Sequence, residues 1–251
     1  MVERFLAKEE VAGSNPVPRS LHKRMIKLIA SDWDDVITHG AKEGYFQCYH
    51  EAICAVGVHL TPEEEHKRIL AKWSKPHIEE LGELLKEHPE LVEKAAEIYE
   101  KHLFGDTYLN AQSPIPGVNE TLIRLKRNYI LTVATGAHPT ILKEKVIPKF
   151  NIPDVFSEIV SSYDIEDPQK RKPHPYMIQK MMADQGIFPH ETVFVGDARS
   201  DVEMARAAKV IPIAVLSGHM SREDAEELKV EYIIENFSHI ETVLDILNSN
   251  S

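Results

Sequence analysis

The chain has 251 residues, and its 29 Lys and Arg against 40 Asp and Glu give a formal net charge of −11. Such an acidic chain repels phosphate polymers, which argues against broad binding to nucleic acid or to an anionic membrane, although a small anionic substrate would see only its local pocket. Two cysteines, Cys48 and Cys54, cannot build a disulfide framework or a cysteine-rich zinc site. No run approaches the roughly 18 to 20 apolar residues of a membrane span, and the N-terminus lacks a signal-peptide core, so we expect a cytoplasmic protein.

The first 24 residues differ from the rest of the sequence. They lack apolar periodicity, and Gly13, Pro16 and Pro18 would break a helix. We expect either a disordered leader or a start site assigned too far upstream. In both cases the fold should begin near Met25, directly before the first apolar run.

From Met25 onward, short apolar runs alternate with helix-like patterns. The runs are bounded by Gly, Asp or Pro, as buried parallel strands are. This alternation predicts βαβ units, so the expected fold is α/β, with a Rossmann-like parallel sheet covered by helices on both faces. Strands are predicted at 27–31, 130–134, 155–161, 192–195, 211–216 and 232–234. Helices are predicted at 118–127, 139–150, 175–185, 201–209, 221–228 and 239–247.

One long segment interrupts the alternation and shows no evident strand. Within it, Thr61, Pro62 and Glu64 form a helix start signal with Thr61 as the N-cap, and Pro89 opens another helix. We therefore predict three or four helices inserted into the α/β core. The predicted domains are a core formed by 25–42 and 109–251 and an all-helical cap at 43–108.

Two of the predicted strands end in clusters of carboxylates. The first strand runs into Asp32, Asp34 and Asp35, and the strand at 192–195 leads to Asp197 and Asp201. Clustered carboxylates repel one another, so a buried strand end tolerates them only with a cation nearby. Each cluster alone has a simpler interpretation: an acidic surface turn for the first, and a helix N-terminus, where Asp is favoured, for the second.

Two further segments make the pattern more specific. The strand at 130–134 ends in Thr135, a hydroxyl donor, and in Gly136, whose backbone can approach a ligand closely. Lys172 lies in a basic loop before a predicted helix. Thr135 alone could cap the next helix, and Lys172 could belong to a solvated basic run. In a parallel sheet, however, ligands bind at the carboxyl ends of the strands, where these residues can meet the acidic clusters.

Together the four segments resemble the four motifs of the haloacid dehalogenase (HAD) superfamily of phosphotransferases. The matching residues are Asp32-Trp33-Asp34, Thr135, Lys172-Pro173, and Gly196-Asp197 with Asp201. The helical insertion resembles the C1-type cap of subfamily I, which includes phosphoglycolate phosphatase-like and β-phosphoglucomutase-like proteins. Asp35 departs from the family pattern, which most often has Gly at that position.

The resemblance implies a mechanism and a cofactor. Asp32 would be the nucleophile that forms an aspartyl-phosphate, and Asp34 would be the general acid and base. The Thr135 hydroxyl, the backbone at Gly136 and Lys172 would bind the phosphoryl oxygens. The groups that would hold Mg²⁺ are Asp32, the backbone carbonyl of Asp34, Asp197, and Asp201 either directly or through water.

The acidic residue at position 34 also narrows the reaction class. It argues against the dehalogenase branch, whose halide leaving group needs no proton, and against the phosphonatase branch, which has no acidic residue there. The expected partner is a small phosphorylated metabolite, with no nucleic acid or membrane partner. A phosphomutase of the same fold stays an alternative, as does a catalytically idle regulator that uses the cleft only for binding.

Three residues are candidates for substrate specificity. Tyr45 and Gln47 belong to the first predicted helix of the cap, close in sequence to the nucleophile loop, and His138 follows Thr135 by three residues. Tyr45 could instead pack inside the cap or at its hinge. The other histidines are scattered, so they do not indicate a zinc enzyme.

Overall fold

A computed structural model of the chain describes residues 25–72 and 76–249. The predicted leader at 1–24 lies outside the described residues. Within them, six parallel strands form one sheet, and a group of helices is inserted between the first two strands of that sheet in chain order. The predicted α/β fold with a helical insertion is therefore confirmed.

The strands are short. They are β1 (Leu28–Ser31), β2 (Thr38–His39), β3 (Ser113–Pro114), β4 (Ile130–Thr135), β5 (Phe156–Ser161), β6 (Thr192–Gly196), β7 (Ile211–Val215) and β8 (Tyr232–Ile234). The main sheet has the order β5-β4-β1-β6-β7-β8, and each neighbouring pair is parallel. Its six strands lie where the apolar runs predict them, whereas β2 and β3 were not predicted. All residues of β1 are buried, as expected for a central strand covered on both faces.

Helices fill the connections between the strands. Those of the insertion are α1 (Ala41–Ala55), α2 (Pro62–Ala71), α3 (His77–Leu84), α4 (Val92–Leu103) and α5 (Asp106–Ala111). Those of the core are α6 (Val118–Leu125), α7 (Pro139–Ile141), α8 (Ile147–Lys149), α9 (Tyr176–Gln185), α10 (Arg199–Ala207), α11 (Arg222–Glu227) and α12 (Ile240–Ser249). A π-helical segment (Leu142–Val146) joins α7 to α8, and 3₁₀ turns lie at Pro89–Leu91, Ser162–Asp164, Pro168–Lys170, Pro189–Glu191 and Phe237–His239.

The cap is joined to the core by a two-stranded ribbon. β2 pairs antiparallel with β3, so the chain leaves and re-enters the core side by side. Gly40 lies at this crossing with φ 88°, and a Cβ there would come within 2.2 Å of the Ala111 carbonyl oxygen. Only glycine fits this left-handed, crowded position. The inserted helices run from Ala41 to Ala111, a few residues beyond the predicted limits at each end.

The cap and one face of the sheet share a single apolar cluster. It contains buried residues of the sheet, such as Ile29 and Val133, together with buried residues of the cap, such as Tyr49, Ile53 and Leu81. A separate cluster covers the other face of the sheet beneath α9 and α10. The cap therefore contributes to the same core as the sheet it covers.

Among the described residues, no helix combines the length and the apolar character needed to cross a membrane.

Candidate active site

The motif segments meet at the carboxyl edge of the sheet. Ser31, the last residue of β1, lies opposite Val133 of β4 and Val195 of β6. The N–H of Asp32 continues this pairing and donates to the carbonyl of Val195 at 2.8 Å. Because the three strands end at the same level, the first, second and fourth sequence motifs lie together.

Lys172 brings the third motif into the same place. Its Nζ lies 2.7 Å from Oδ2 of Asp32 and 2.8 Å from Oδ1 of Asp201. Burial by itself would lower the pKa of this lysine, but the carboxylates of Asp201 and Asp32 outweigh burial and hold the pKa above its ordinary value. The loop before α9 thus places a fixed positive charge between two motif carboxylates.

Three carboxylates form a compact oxygen cluster. Oxygens of Asp32, Asp197 and Asp201 lie within 4.8 Å of one another. Gly196 makes this possible, since a Cβ there would lie 2.3 Å from the Cβ of Asp201. Burial, followed by the charges of Asp201 and Asp32, raises the pKa of Asp197, while burial raises the pKa of Asp201 to about 6 against the lowering effect of Lys172.

These residues fit a Mg²⁺ ion. Mg²⁺ prefers oxygen ligands, and one or two carboxylates plus water and phosphate oxygens complete its octahedron. Asp197 and Asp201 are 2% and 1% exposed, and burial is the largest cause that raises the pKa of each. A divalent cation in this cluster would supply positive charge that favours the ionised carboxylates.

Asp34 lies beside the cluster and has a different partner. Its Oδ1 accepts a hydrogen bond from the hydroxyl of Tyr108 at 3.2 Å. Burial, together with the charges of Asp32 and Asp35, raises the pKa of Asp34 to about 8, although Tyr108 and Lys172 act in the opposite direction. Near neutral pH this carboxyl therefore retains a proton, as a general acid must. Burial also raises the pKa of Tyr108, which keeps its hydroxyl a donor.

The loop after β4 presents a hydroxyl and an open backbone. Oγ1 of Thr135 accepts the N–H of Ala137 at 3.0 Å, which leaves its own proton for another acceptor. The hydroxyl of Ser161 fixes this loop by donating to the Ala137 carbonyl at 2.7 Å. Among the described residues, no atom outside its chain neighbours lies within 4 Å of a Cβ built on Gly136, so its backbone faces open space.

The three specificity candidates lie in different surroundings. Tyr45 contacts Tyr108, with ring centroids 4.7 Å apart, and is the candidate closest to Asp34 through that contact. Gln47 is exposed and donates to Glu51 on the same helix at 2.7 Å, so the structure does not bring it to the motif residues. His138 bridges cap and core: its ring lies 4.9 Å from that of Phe104 and 4.7 Å from that of Tyr163.

Sequence reasoning missed the loop that follows β7. The hydroxyl of Ser217 donates to the Asp35 carbonyl at 2.6 Å, and the N–H of His219 donates to Oδ2 of Asp197 at 2.9 Å. Between them, a Cβ on Gly218 would lie 2.1 Å from that Asp197 oxygen. The sequence feature that could have indicated this loop is Gly218, a glycine that follows the carboxyl end of a predicted parallel strand. No feature of the sequence near Tyr108 indicates its contact with Asp34.

Asp35 has the backbone conformation that explains its place in the motif. Its φ is 57°, in the left-handed region that glycine adopts most easily and that Asp tolerates better than most residues. Its Oδ1 accepts the N–H of Gly40 at 3.1 Å. The conformation therefore accommodates Asp35 in place of glycine, and its side chain ties the loop after β1 to the start of α1 at Gly40.

A family model for haloacid dehalogenase-like hydrolases matches residues 26–209. This match covers most of the chain, and the chain belongs to that family. The family resemblance inferred from the four motifs is thus confirmed.

Individual relatives are more distant. A phosphoglycolate phosphatase from Pasteurella multocida (strain Pm70) is 28% identical over 143 residues, which are 57% of this chain and 62% of that protein. The match therefore spans less than two thirds of that relative's length.

Solved structures share the fold over nearly the whole described chain. A predicted phosphoglycolate phosphatase from Haemophilus somnus 129PT superimposes with a TM-score of 0.75 at 20% identity, covering 87% of this chain and 97% of that one. A β-phosphoglucomutase from Clostridium difficile gives a TM-score of 0.64 at 19% identity, covering 90% and 99%. At these identities the likeness establishes the fold.

Proposed function

We propose that the protein is a Mg²⁺-dependent phosphatase that hydrolyses a small phosphomonoester through an aspartyl-phosphate at Asp32. The observation that carries this proposal is the convergence of Asp32, Lys172 and Asp201 at one strand edge, with 2.7 and 2.8 Å between the lysine and the two carboxylates. A phosphate monoester is an anion, so a carboxylate nucleophile needs positive charge beside it to approach phosphorus. Lys172 and an oxygen cluster suited to a cation meet that need.

In the proposed complex, protein groups hold the transferred phosphoryl group on several sides. The Thr135 hydroxyl and the backbone at Gly136 donate hydrogen bonds to its oxygens, and Lys172 supplies a positive charge. Positioning of this kind places phosphorus in line between the attacking oxygen and the leaving oxygen, which removes much of the entropic barrier.

In the first step an Asp32 oxygen attacks phosphorus. A bond forms between that oxygen and phosphorus, and the bond from phosphorus to the ester oxygen breaks. Asp34 transfers its proton to the departing oxygen, which leaves as an alcohol. The raised pKa of Asp34, about 8, supports this role because the proton is present near neutral pH.

In the second step Asp34 acts as a base. Its carboxylate accepts a proton from a water molecule while the water oxygen attacks phosphorus. The bond between phosphorus and Asp32 breaks, inorganic phosphate departs, and both Asp32 and the protonated Asp34 are restored.

The metal contributes charge. When bound, Mg²⁺ offsets the negative charge that the phosphoryl oxygens and the carboxylates bring together. The groups proposed to hold it are Asp32, the backbone carbonyl of Asp34, Asp197, and Asp201 directly or through water.

The substrate is proposed as a class, a small phosphorylated metabolite in the cytoplasm. Phosphoglycolate is the first compound to test, because the curated relative from Pasteurella multocida carries the name phosphoglycolate phosphatase. The cap residue Tyr45, together with His138, a core residue that contacts the cap at Phe104, is the proposed source of discrimination among leaving groups.

The test is phosphate release from p-nitrophenyl phosphate and from a panel of phosphorylated metabolites in the presence of Mg²⁺. We expect turnover by the wild-type protein and none by Asp32→Asn, whose amide cannot form the acyl-phosphate. Asp154→Asn, which removes an exposed carboxylate, is the matched control and should match wild type. Turnover that survives Asp32→Asn would contradict the proposal. Conversion of a sugar phosphate to its isomer without phosphate release would favour the phosphomutase instead.

A further inference from the structure

Two tyrosines of the cap form a hydrogen-bonded chain that ends on Asp34. The hydroxyl of Tyr108 donates to Oδ1 of Asp34 at 3.2 Å, and the hydroxyl of Tyr45 is bonded to that of Tyr108. From this geometry we infer that Tyr108 is a positioning residue, which fixes the orientation of the Asp34 carboxyl, the proposed general acid and base, and ties this carboxyl to the cap. The inference rests on the proposed phosphatase function.

The position of Tyr108 is tightly set by the cap. It belongs to α5 and is 2% exposed. A Cβ on Gly44 of α1 would lie 2.9 Å from the Tyr108 carbonyl oxygen and 3.0 Å from its Cδ2, so the two helices are in close contact at this point. On its other side the ring meets Tyr45, 4.7 Å away between centroids. A side chain enclosed in this way keeps one orientation, so its hydroxyl has one place to donate.

The Tyr108 hydroxyl has one proton, which it donates to Oδ1 of Asp34. The Tyr108 proton is then committed to Asp34, and Tyr45 must be the donor to the Tyr108 oxygen. Tyr45 therefore holds the Tyr108 hydroxyl in the orientation that points its proton at Asp34.

The contact limits the orientation of the Asp34 carboxyl. With Oδ1 held by Tyr108, Oδ2 is the oxygen left to serve the leaving group in the first step and water in the second. Without the tyrosine, the carboxyl could turn about its bond to Cβ.

The contact also joins two parts of the molecule. Asp34 follows β1 in the core, whereas Tyr108 is separated from it by 74 residues and belongs to the helix that leads out of the cap. The general acid is therefore aligned by the cap when the cap covers the site. A leaving group that needs a proton should depend on this contact, and one that needs none should not.

The experiment compares two esters in wild-type protein and in Tyr108→Phe. Phenyl phosphate has a poor leaving group that needs a proton, while 2,4-dinitrophenyl phosphate has a leaving group that departs as a stable anion. We expect kcat with phenyl phosphate to fall about 2- to 10-fold, the loss expected for one hydrogen bond between neutral groups, and kcat with 2,4-dinitrophenyl phosphate to stay near the wild-type value.

Two further variants sharpen the result. Tyr99→Phe is the matched control, since it also removes a hydroxyl from a buried cap tyrosine, one whose ring stacks on Tyr49 at 4.4 Å. It should leave kcat for both esters unchanged. Tyr45→Phe removes only the outer donor and should give a smaller loss confined to phenyl phosphate. If Tyr108→Phe lowers the unfolding temperature, Tyr45→Phe decides the question by the same comparison.

Each outcome has one meaning. Equal slowing of both esters, or no slowing of either, by Tyr108→Phe overturns the inference and leaves the proposed phosphatase function intact. Failure of the wild-type protein to hydrolyse either ester with Mg²⁺ overturns the proposed function and the inference with it.

Discussion

Charged groups are paired differently at the carboxyl edge of the sheet and in the helical cap. At the sheet edge, the ammonium of Lys172 pairs with Asp32 and Asp201, and Asp197 completes the same cluster of three carboxylates. The charges do not balance, and burial raises the pKa of Asp197 and Asp201. A cation bound there would offset this excess of negative charge, and such an imbalance is typical of functional sites.

In the cap, a buried charge is matched group by group. The guanidinium of Arg68 donates to Glu64 at 2.7 Å, to both oxygens of Glu87 at 2.6 and 2.9 Å, and to the Leu84 carbonyl at 3.0 Å. Each nitrogen of the guanidinium has an acceptor in this network, which ties α2 to the end of α3. The comparison helps to distinguish residues that suit a reaction site from residues that stabilise the fold.

Among changes expected to leave measurable activity, the largest effect comes from removing the proposed proton donor, Asp34. Asp34→Asn should lower kcat with phenyl phosphate about 10²- to 10⁴-fold, the usual contribution of general acid–base catalysis. The loss should be much smaller for 2,4-dinitrophenyl phosphate, as measured by steady-state kinetics. Equal losses for the two esters would contradict the role assigned to Asp34.

The next effect concerns two glycines, one in each region. Gly218→Ala would place a methyl group 2.1 Å from Oδ2 of Asp197, so Asp197 must move. We expect apparent Mg²⁺ affinity, measured by titrating activity, to fall about 10- to 100-fold, as for other changes that disturb a metal ligand.

Gly82→Ala on α3 is the control. Apart from its chain neighbours and its own helix backbone, no described atom lies within 4 Å of a Cβ built at Gly82. This substitution should leave Mg²⁺ affinity unchanged and stabilise α3 by roughly 0.5 to 1 kcal/mol. Unchanged Mg²⁺ affinity in Gly218→Ala would show that Asp197 does not hold the metal.

Arg68→Met tests the other side of the comparison. Met keeps the length of the side chain but leaves the Leu84 carbonyl and two carboxylates without their donor. We expect the unfolding temperature to drop by several degrees, while kcat for p-nitrophenyl phosphate stays within about twofold of wild type. A large fall in kcat with unchanged stability would reverse the assignment of the cap network.

The smallest effect is the dependence of stability on pH. Folding raises the pKa of Asp35 and Asp201 to about 6 and that of Asp34 to about 8, from an ordinary value of 3.8. The folded protein thus holds protons that the unfolded chain has released, so the free energy of unfolding falls as pH rises from about 4 to 8. In EDTA the unfolding temperature should decrease across this window. Mg²⁺ should raise the unfolding temperature more at pH 8 than at pH 5. An equal rise at both pH values would contradict an excess of negative charge at the sheet edge.

The sequence was most informative where function depends on short segments at strand ends. Parallel strands bring such segments to one edge, so Asp32, Thr135 and Asp197 could be placed together from the order of strands and helices alone. Helix α2 also begins as its signal predicts, with the N–H of Glu64 donating to Thr61 at 3.2 Å.

Contacts between distant helices were beyond this reasoning. Tyr108 meets Asp34 across 74 residues, and its neighbours in sequence resemble those of any buried helix residue. For the same reason Gln47, chosen for its closeness in sequence to the nucleophile loop, is directed toward Glu51 instead. The end of a strand has a fixed place in a parallel sheet, whereas the direction of a cap side chain depends on how whole helices pack.

The central claim is that phosphoryl transfer at the sheet edge passes through Asp32. Borohydride added during steady-state turnover of p-nitrophenyl phosphate reduces an acyl-phosphate to the corresponding alcohol, which converts the modified aspartate to homoserine. Peptide sequencing by tandem mass spectrometry then locates the converted residue. We predict homoserine at position 32, only in the presence of substrate and Mg²⁺, and intact Asp at positions 34 and 35. Full turnover with position 32 unmodified, or with homoserine at position 34, would contradict the account.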